Sequence, residues 1–326
     1  MNEKEKKIIL DSIHFDSNES IFFARELEYV KAQTYDVEYP ELQAKALFPA
    51  STEAPAGAKV ITYRQFDKLG MAKIIANYAD DLPRVNLKGK EFSSPVRTIG
   101  DAYGYSVIDI QHAAMVGMPL DSKLATTARE AVEMKEDDIA FFGDEEFGLQ
   151  GILTNGNVSA YVVPDGTASV TNWIPNSAGS GKTPLEIVRD VNDVLRFAPS
   201  LTRGIERPDT LAISSDEFTH ISTTPMSADN TNTTILEFLR RAHPTVTFVS
   251  VEKLSDLSPA RVGGGDTTNV MVAYRRSPDR LTFEIPMMFT QLPVQERNLE
   301  YVVNCIARNG GIIIYRPLSV TIAEGI

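Results

Sequence analysis

Lys59-Val60-Ile61-Thr62-Tyr63-Arg64-Gln65-Phe66 opens a stretch, residues 57–105, that closes on Val96-Arg97-Thr98-Ile99 and Tyr103-Gly104-Tyr105. Both ends are rich in β-branched and aromatic residues, and both are predicted to be strands, the two arms of one long hairpin. Between them, residues 67–95 are polar, with a break at Asp80-Asp81-Leu82-Pro83 and a charged turn predicted at Asn86-Leu87-Lys88-Gly89-Lys90-Glu91. A two-stranded ribbon is marginal in water on its own. The apolar residues inside it, at 71–75 and Tyr78, therefore need a surface to cover them, and a neighbouring copy of the chain is expected to supply it.

Working outward, the chain has 326 residues, 43% of them hydrophobic and 23% charged, enough for two domains or one elaborated domain. No run of about 18 apolar residues is present, and residues 1–7 are charged, without the apolar centre of a secretion signal, so a cytoplasmic protein with no membrane partner is expected. Cys305 is the single cysteine and sits in the apolar run Tyr301-Val302-Val303-Asn304-Cys305-Ile306, which reads as a buried, inert thiol. The net charge of −12 argues against gripping nucleic acid, because phosphate binding needs a surplus of Lys and Arg, but allows a wall that faces DNA without holding it.

Upstream of the hairpin, residues 21–30 carry apolar side chains at helical spacing behind Ser17-Asn18-Glu19-Ser20, a short helix on an arm that then runs extended to Pro49. Downstream, a short helix is predicted at 107–116. The longest helix follows at 121–143, with Asp121 as N-cap, Gly143 as stop, and Leu124, Ala128, Ala131, Ile139 and Phe142 on its buried face. Its acidic patch, Glu133, Glu136, Asp137 and Asp138, reads as a solvated or interface face rather than a metal site, since no histidine accompanies it. Residues 172–181 read as a small-residue linker. Beyond it, helices at 184–197, 215–221 and 233–242 alternate with strands at 210–213, 246–251 and 270–274, a compact α/β unit, and β character returns at 281–285 and 311–317.

Three motifs suggest chemistry and do not hold up. Gly179-Ser180-Gly181-Lys182-Thr183 resembles a phosphate-binding loop, but the first glycine of that pattern is replaced by Asn176, and Pro175 stands where a buried strand should end. Gly263-Gly264-Gly265 lacks the flanking strand and helix of a dinucleotide site. His14, His112, His220 and His243 have neither metal-ligand spacing nor a nucleophile beside them. No catalytic, cofactor or metal site is expected. Phe15, Phe22, Phe23, Trp173, Phe197 and Phe289 read as core or interface anchors, because no basic residues interleave them as in a stacking platform.

The order of these elements, together with Phe23-Ala24-Arg25-Glu26-Leu27-Glu28-Tyr29-Val30, Ile61-Thr62-Tyr63-Arg64-Gln65-Phe66-Asp67, Ala79-Asp80-Asp81-Leu82-Pro83 and Asn309-Gly310-Gly311, resembles the major capsid proteins of tailed bacteriophages, the Hong Kong 97-type fold shared with encapsulins. The resemblance covers nearly the whole chain. It implies an α+β fold: an N-terminal arm at 1–50, an extended β-hairpin loop at 51–106, a peripheral domain at 107–182 with its spine helix at 121–143, an α/β axial domain at 183–289, and a C-terminal return at 290–326.

It further implies a non-enzymatic shell protein whose first partner is itself, in pentamers and hexamers of an icosahedral head. Portal and decoration proteins, and a separate scaffolding protein or none, are the further partners it implies. Double-stranded DNA would be enclosed without sequence-specific binding, in a virion assembled in the host cytoplasm. Candidate inter-subunit residues are Arg84, Lys88, Lys90 and Glu91 on the hairpin and Phe22 and Phe23 on the arm, with loops 222–234 and 258–268 expected at the five-fold and six-fold axes. A covalent crosslink through Lys88 or Lys90, of the kind some relatives form, is not expected. The competing readings are an encapsulin-like compartment around a cargo enzyme and, more remotely, a nucleotide-binding enzyme.

Overall fold

The computed structural model describes residues 42–69, 86–116, 120–167, 169–175, 180–227, 232–255 and 269–326. All of them belong to one compact unit, Leu42–Ile326. Its first elements are a single helical turn, α1 (Ala44–Leu47), and a two-residue strand, β1 (Ala50–Ser51). Strands β2 (Val60–Leu69) and β3 (Asn86–Pro95) then form an antiparallel ribbon in unbroken register from Val60↔Pro95 to Leu69↔Asn86.

The return arm of the hairpin is therefore residues 86–95, the segment whose charges and glycine read as a turn, and not 96–105. The β-propensity signal reports a half-buried surface. On a ribbon with one open face, Lys88, Lys90 and Glu91 can occupy strand positions without burying charge, so that signal is missing from the true arm. Residues 97–106 are indeed a strand, β4 (Arg97–Ser106), but it pairs elsewhere. Val96, buried between the two strands, is the pivot, its N–H donating to Lys59 O at 2.9 Å.

After β4 come α2 (Val107–Val116) and the long α3 (Leu120–Phe142), which starts one residue before the Asp121 cap read from the sequence. The side chains that α3 buries are Ala128, Val132, Glu136, Asp137, Ile139, Ala140 and Phe141, while Ala131 is exposed and Phe142 half-buried. The acidic patch is thus partly inside. Glu136 is 2% and Asp137 4% exposed, because Lys45 Nζ reaches Glu136 at 2.8 Å and Lys253 Nζ reaches Asp137 at 2.6 Å. Asp137 also accepts the Ala44 N–H at 2.7 Å, so one carboxylate ties α1 to the long helix. Burial of charge needs such partners, and residues 91 and 116 positions away in sequence supply them here.

The α/β unit begins with β5 (Ser159–Val162) and α4 (Pro184–Leu201), whose N-terminus carries a capping box between Thr183 and Glu186. It continues with β6 (Thr210–Ser214), α5 (Ser215–Thr223), α6 (Ile235–Ala242), β7 (Thr247–Val251) and β8 (Val270–Tyr274). The remaining strands are β9 (Leu281–Glu284), β10 (Met287–Gln291), β11 (Gln295–Arg297), β12 (Glu300–Asn309), β13 (Gly311–Ile314) and β14 (Val320–Glu324).

A five-stranded sheet runs β5-β14-β8-β6-β7 and is buried on both faces. Leu211, Ile213, Met271 and Ala323 face Ile187, Val191 and Val194 of α4, while Ala212, Val272 and Ile322 face Phe141, Phe48 and Phe283. β12 is the centre of a second sheet, with β4 on one side and β10 and β11 on the other, and Val303 and Cys305 pack on Ala128 of α3. A third sheet, β1-β9-β13, joins the first strand to the tail. Residues 290–326 are shared between these sheets, β12 in the second and β14 inside the first.

Residues 172–175 and 180–181, read as linker, are anchored. Trp173 is fully buried, and its Nε1 donates to Asp190 at 3.2 Å.

Candidate assembly interface

The hairpin stands on its own subunit by its base. Tyr63 stacks on Phe92 across the ribbon, ring centroids 5.3 Å apart, and meets Tyr315 edge-on at 4.9 Å. Ser94 Oγ donates to Gly310 O at 3.3 Å. A Cβ built on Gly310 would lie 3.1 Å from Glu284 Cβ and 3.3 Å from Ile61 Cδ1, and one on Gly311, where φ is 72°, would strike Gln150 O at 2.6 Å. The Asn309-Gly310-Gly311 motif is thus part of the floor on which the ribbon rests: a side chain at Gly310 would press on Glu284 and Ile61, and at Gly311 the positive φ and the Gln150 backbone require glycine.

Register divides the ribbon into two faces. Ile61, Tyr63 and Gln65 share one face with Ser94, Phe92, Lys90 and Lys88; Val60, Thr62, Arg64 and Phe66 share the other with Ser93, Glu91, Gly89 and Leu87. Lys90 Nζ sits 4.8 Å from the centroid of Phe92 on the first face. On the second, Arg64 Nε approaches Glu91 at 3.4 Å.

Of the residues singled out from sequence, the structure therefore brings Lys88 and Lys90 together and sets Glu91 on the opposite face. Arg84, Phe22 and Phe23 lie outside the described residues, as do Phe15, the whole of loop 258–268 and residues 228–231 of loop 222–234. Sequence reading missed Arg64, Phe66 and Leu87. Period-two alternation across 86–95 would have found them, had those residues been read as a strand. Beneath the hairpin an open cleft of about 1350 Å³ separates Tyr63–Phe66 from Leu201, Ile205 and Leu318 on the body.

The residues that suggested chemistry are committed to structure. Lys182 Nζ lies 2.6 Å from Asp190 with both side chains out of water, so the Gly-Lys-Thr lysine is turned inward. His243 Nε2 is 2.6 Å from Asn192 Oδ1, and partial burial lowers the pKa of His220. Phe197 packs on Tyr161 at 5.2 Å, and Cys305 is buried with its thiol pKa raised by desolvation. Among the described residues no group of three or more His, Cys, Asp or Glu could hold a metal, and no helix is long and apolar enough to cross a membrane.

A family model described as "Major capsid protein" matches residues 70–326. No curated protein matches the chain. Among solved structures, the capsid of Myoviridae phage XM1 superposes with a TM-score of 0.77 at 19% identity, over 94% of this chain and 99% of that one. The capsid of a native GTA particle gives 0.62 at 10% identity, covering 91% and 94%. A virus-like particle from Pyrococcus furiosus gives 0.53 at 12% identity, covering 86% and 91%.

Proposed function

Because the chain belongs to the major capsid protein family, we propose that many copies close into the icosahedral head of a tailed phage or prophage, as pentamers and hexamers around double-stranded DNA. The observation that carries this reading is the ribbon of β2 and β3. Its contacts with the body among the described residues lie at its base, it is ten residues long on each strand, and one face is exposed. Such an element is marginal alone and gains its burial from a neighbour. Around a closed ring each subunit both gives and receives one hairpin, so the gain is repeated at every contact.

In this reading residues 1–50 form the arm, 51–106 the extended loop and its base, 107–182 the peripheral domain and 183–289 the axial domain. Loops 222–234 and 258–268 line the five-fold and six-fold axes, and 290–326 is the C-terminal return. Portal and decoration proteins, with a separate scaffold or none, complete the head. The DNA is enclosed without sequence-specific contacts, which a chain of net charge −12 favours because such a wall neither impedes filling nor retains the genome. Assembly takes place in the host cytoplasm.

Expression of the full chain followed by electron microscopy tests this: closed, uniform shells are expected. A monodisperse monomer at high concentration would overturn it. A compartment shell around a cargo protein is the second reading, prompted by the likeness to the Pyrococcus furiosus particle. Native particles whose contents are degraded by nuclease after disruption support the phage head; protein contents support the compartment.

A further inference from the structure

The two faces of the ribbon differ in chemistry. Phe66 is 55% and Leu87 56% exposed, both on the face away from the Tyr63–Phe92 anchor. They are diagonal neighbours: Phe66 is in register with Gly89, and Leu87 is two residues along the same strand. A Cβ on Gly89 would lie 3.0 Å from Phe66 Cε1 and 3.2 Å from its Cδ1, so the ring occupies the space that a side chain at position 89 would fill. Arg64 and Glu91 continue the face toward the base. The result is an aromatic-aliphatic pair beside one ion pair, a composition common at the centres of protein interfaces. The opposite face presents Lys88 and Lys90, whose long stems keep their charges in water.

We propose that the Phe66–Leu87 face is the one that seats on a second copy of this chain, and that Lys88 and Lys90 lie outside the buried centre of that contact. The proposal rests on the shell reading above and specifies the hairpin's contact within it. Charge selects the occupant. Strands β2 and β3 hold Arg64, Lys68, Lys88 and Lys90 against Asp67 and Glu91, a surplus of two positive charges, while the rest of the chain carries −14. A positive ribbon projecting from an acidic protein is complementary to the body of another copy and not to a polyanion-binding, basic partner.

Single cysteines at these positions report the contact directly, because the native Cys305 is buried and serves as an unlabelled internal control. Phe66→Cys, Leu87→Cys and Lys88→Cys are each co-assembled as a minor fraction with the unaltered chain, and maleimide labelling is compared between shells and dissociated subunits. The expected result is labelling at positions 66 and 87 that slows roughly tenfold or more on assembly, with position 88 slowed far less. Shells in which positions 66 and 87 stay as reactive as in the subunit would overturn the face assignment, as would protection of position 88 alone. A stripe reserved for a different protein would give the first of these results. Failure of the unaltered chain to form closed particles would remove the shell reading and this inference with it.

Discussion

Lys182 and Asp190 meet at 2.6 Å with neither side chain in contact with water, and Asp190 also accepts from Trp173 Nε1 at 3.2 Å and Arg189 Nη2 at 3.1 Å. The pair fixes the segment that leads into α4 against that helix, where Trp173, Ile187 and Val191 share one apolar cluster. Removing Asp190 leaves Lys182 buried without its counter-ion, and removing Lys182 leaves the buried Asp190 with only the half-exposed Arg189, whereas removing both members of the pair costs less. Lys182→Met is expected to destabilise the unassembled subunit by about 3–5 kcal/mol in urea unfolding. Adding Asp190→Leu to Lys182→Met is expected to recover part of that loss. Equal stability of Lys182→Met and the unaltered chain would show that the pair is not coupled to folding.

At the scale of elements, α4 illustrates a cap whose charge matters. Glu186 accepts hydrogen bonds from Thr167 Oγ1 and N–H and from Thr183 N–H and Oγ1, and these hold its carboxyl down at about 2. A carboxylate with a folded pKa below its unfolded one contributes stability above the unfolded value and loses it as pH falls through the folded value. The contribution of Glu186 is therefore present at neutral pH and declines between about pH 4.5 and 2. Because the group lies near the surface, screening keeps that contribution small. Glu186→Gln is expected to flatten the acid limb of the subunit's stability curve in that window and nowhere else. An unchanged curve would count against the cap.

The ribbon is the complementary case. Replacing residues 65–90 with a short glycine-serine turn keeps Arg64↔Glu91, Tyr63↔Phe92 and Ile61↔Ser94 paired. Circular dichroism and thermal melting are expected to show a folded subunit, and electron microscopy few or no shells. Normal shells from this variant would contradict the role given to the hairpin.

The same elements show what local sequence carries. α4, α6 and the buried strands β6 and β8 were legible because burial on both faces, or a capping box, leaves a local signature. β3 was not legible, since its residues 87–91 are exposed and no burial selects β-branched or aromatic side chains there. The buried Glu136 and Asp137 read as a solvated or interface face because Lys45 and Lys253, which neutralise them, are distant in sequence.

For the whole molecule, the decisive feature is that the tail closes the sheet that the middle of the chain begins. β14 pairs in parallel with β5, from Thr321↔Ser159 to Glu324↔Val162, and antiparallel with β8, from Val320↔Tyr274 to Glu324↔Val270. Both of its neighbours thus pair with a strand that lies downstream of them in sequence, and its side chains face both apolar clusters, Ala323 toward one and Val320 and Ile322 toward the other. Truncation before Val320 would leave β5 detached and open the hydrogen-bonding edge of β8 within the core, where unpaired backbone groups are costly. It would also remove the side chains that join the two clusters. The two ends of the construction are therefore predicted to fail differently. Loss of the ribbon leaves a soluble, folded subunit that does not close into shells, whereas loss of residues 320–326 leaves no folded subunit. Co-expression of residues 320–326 as a separate peptide is not expected to rescue it, because the intramolecular strand binds without the entropy loss of association. Soluble, cooperatively melting protein from the truncated chain would show that β14 is an accessory to the fold and would move the closure of the subunit to β6 and β8.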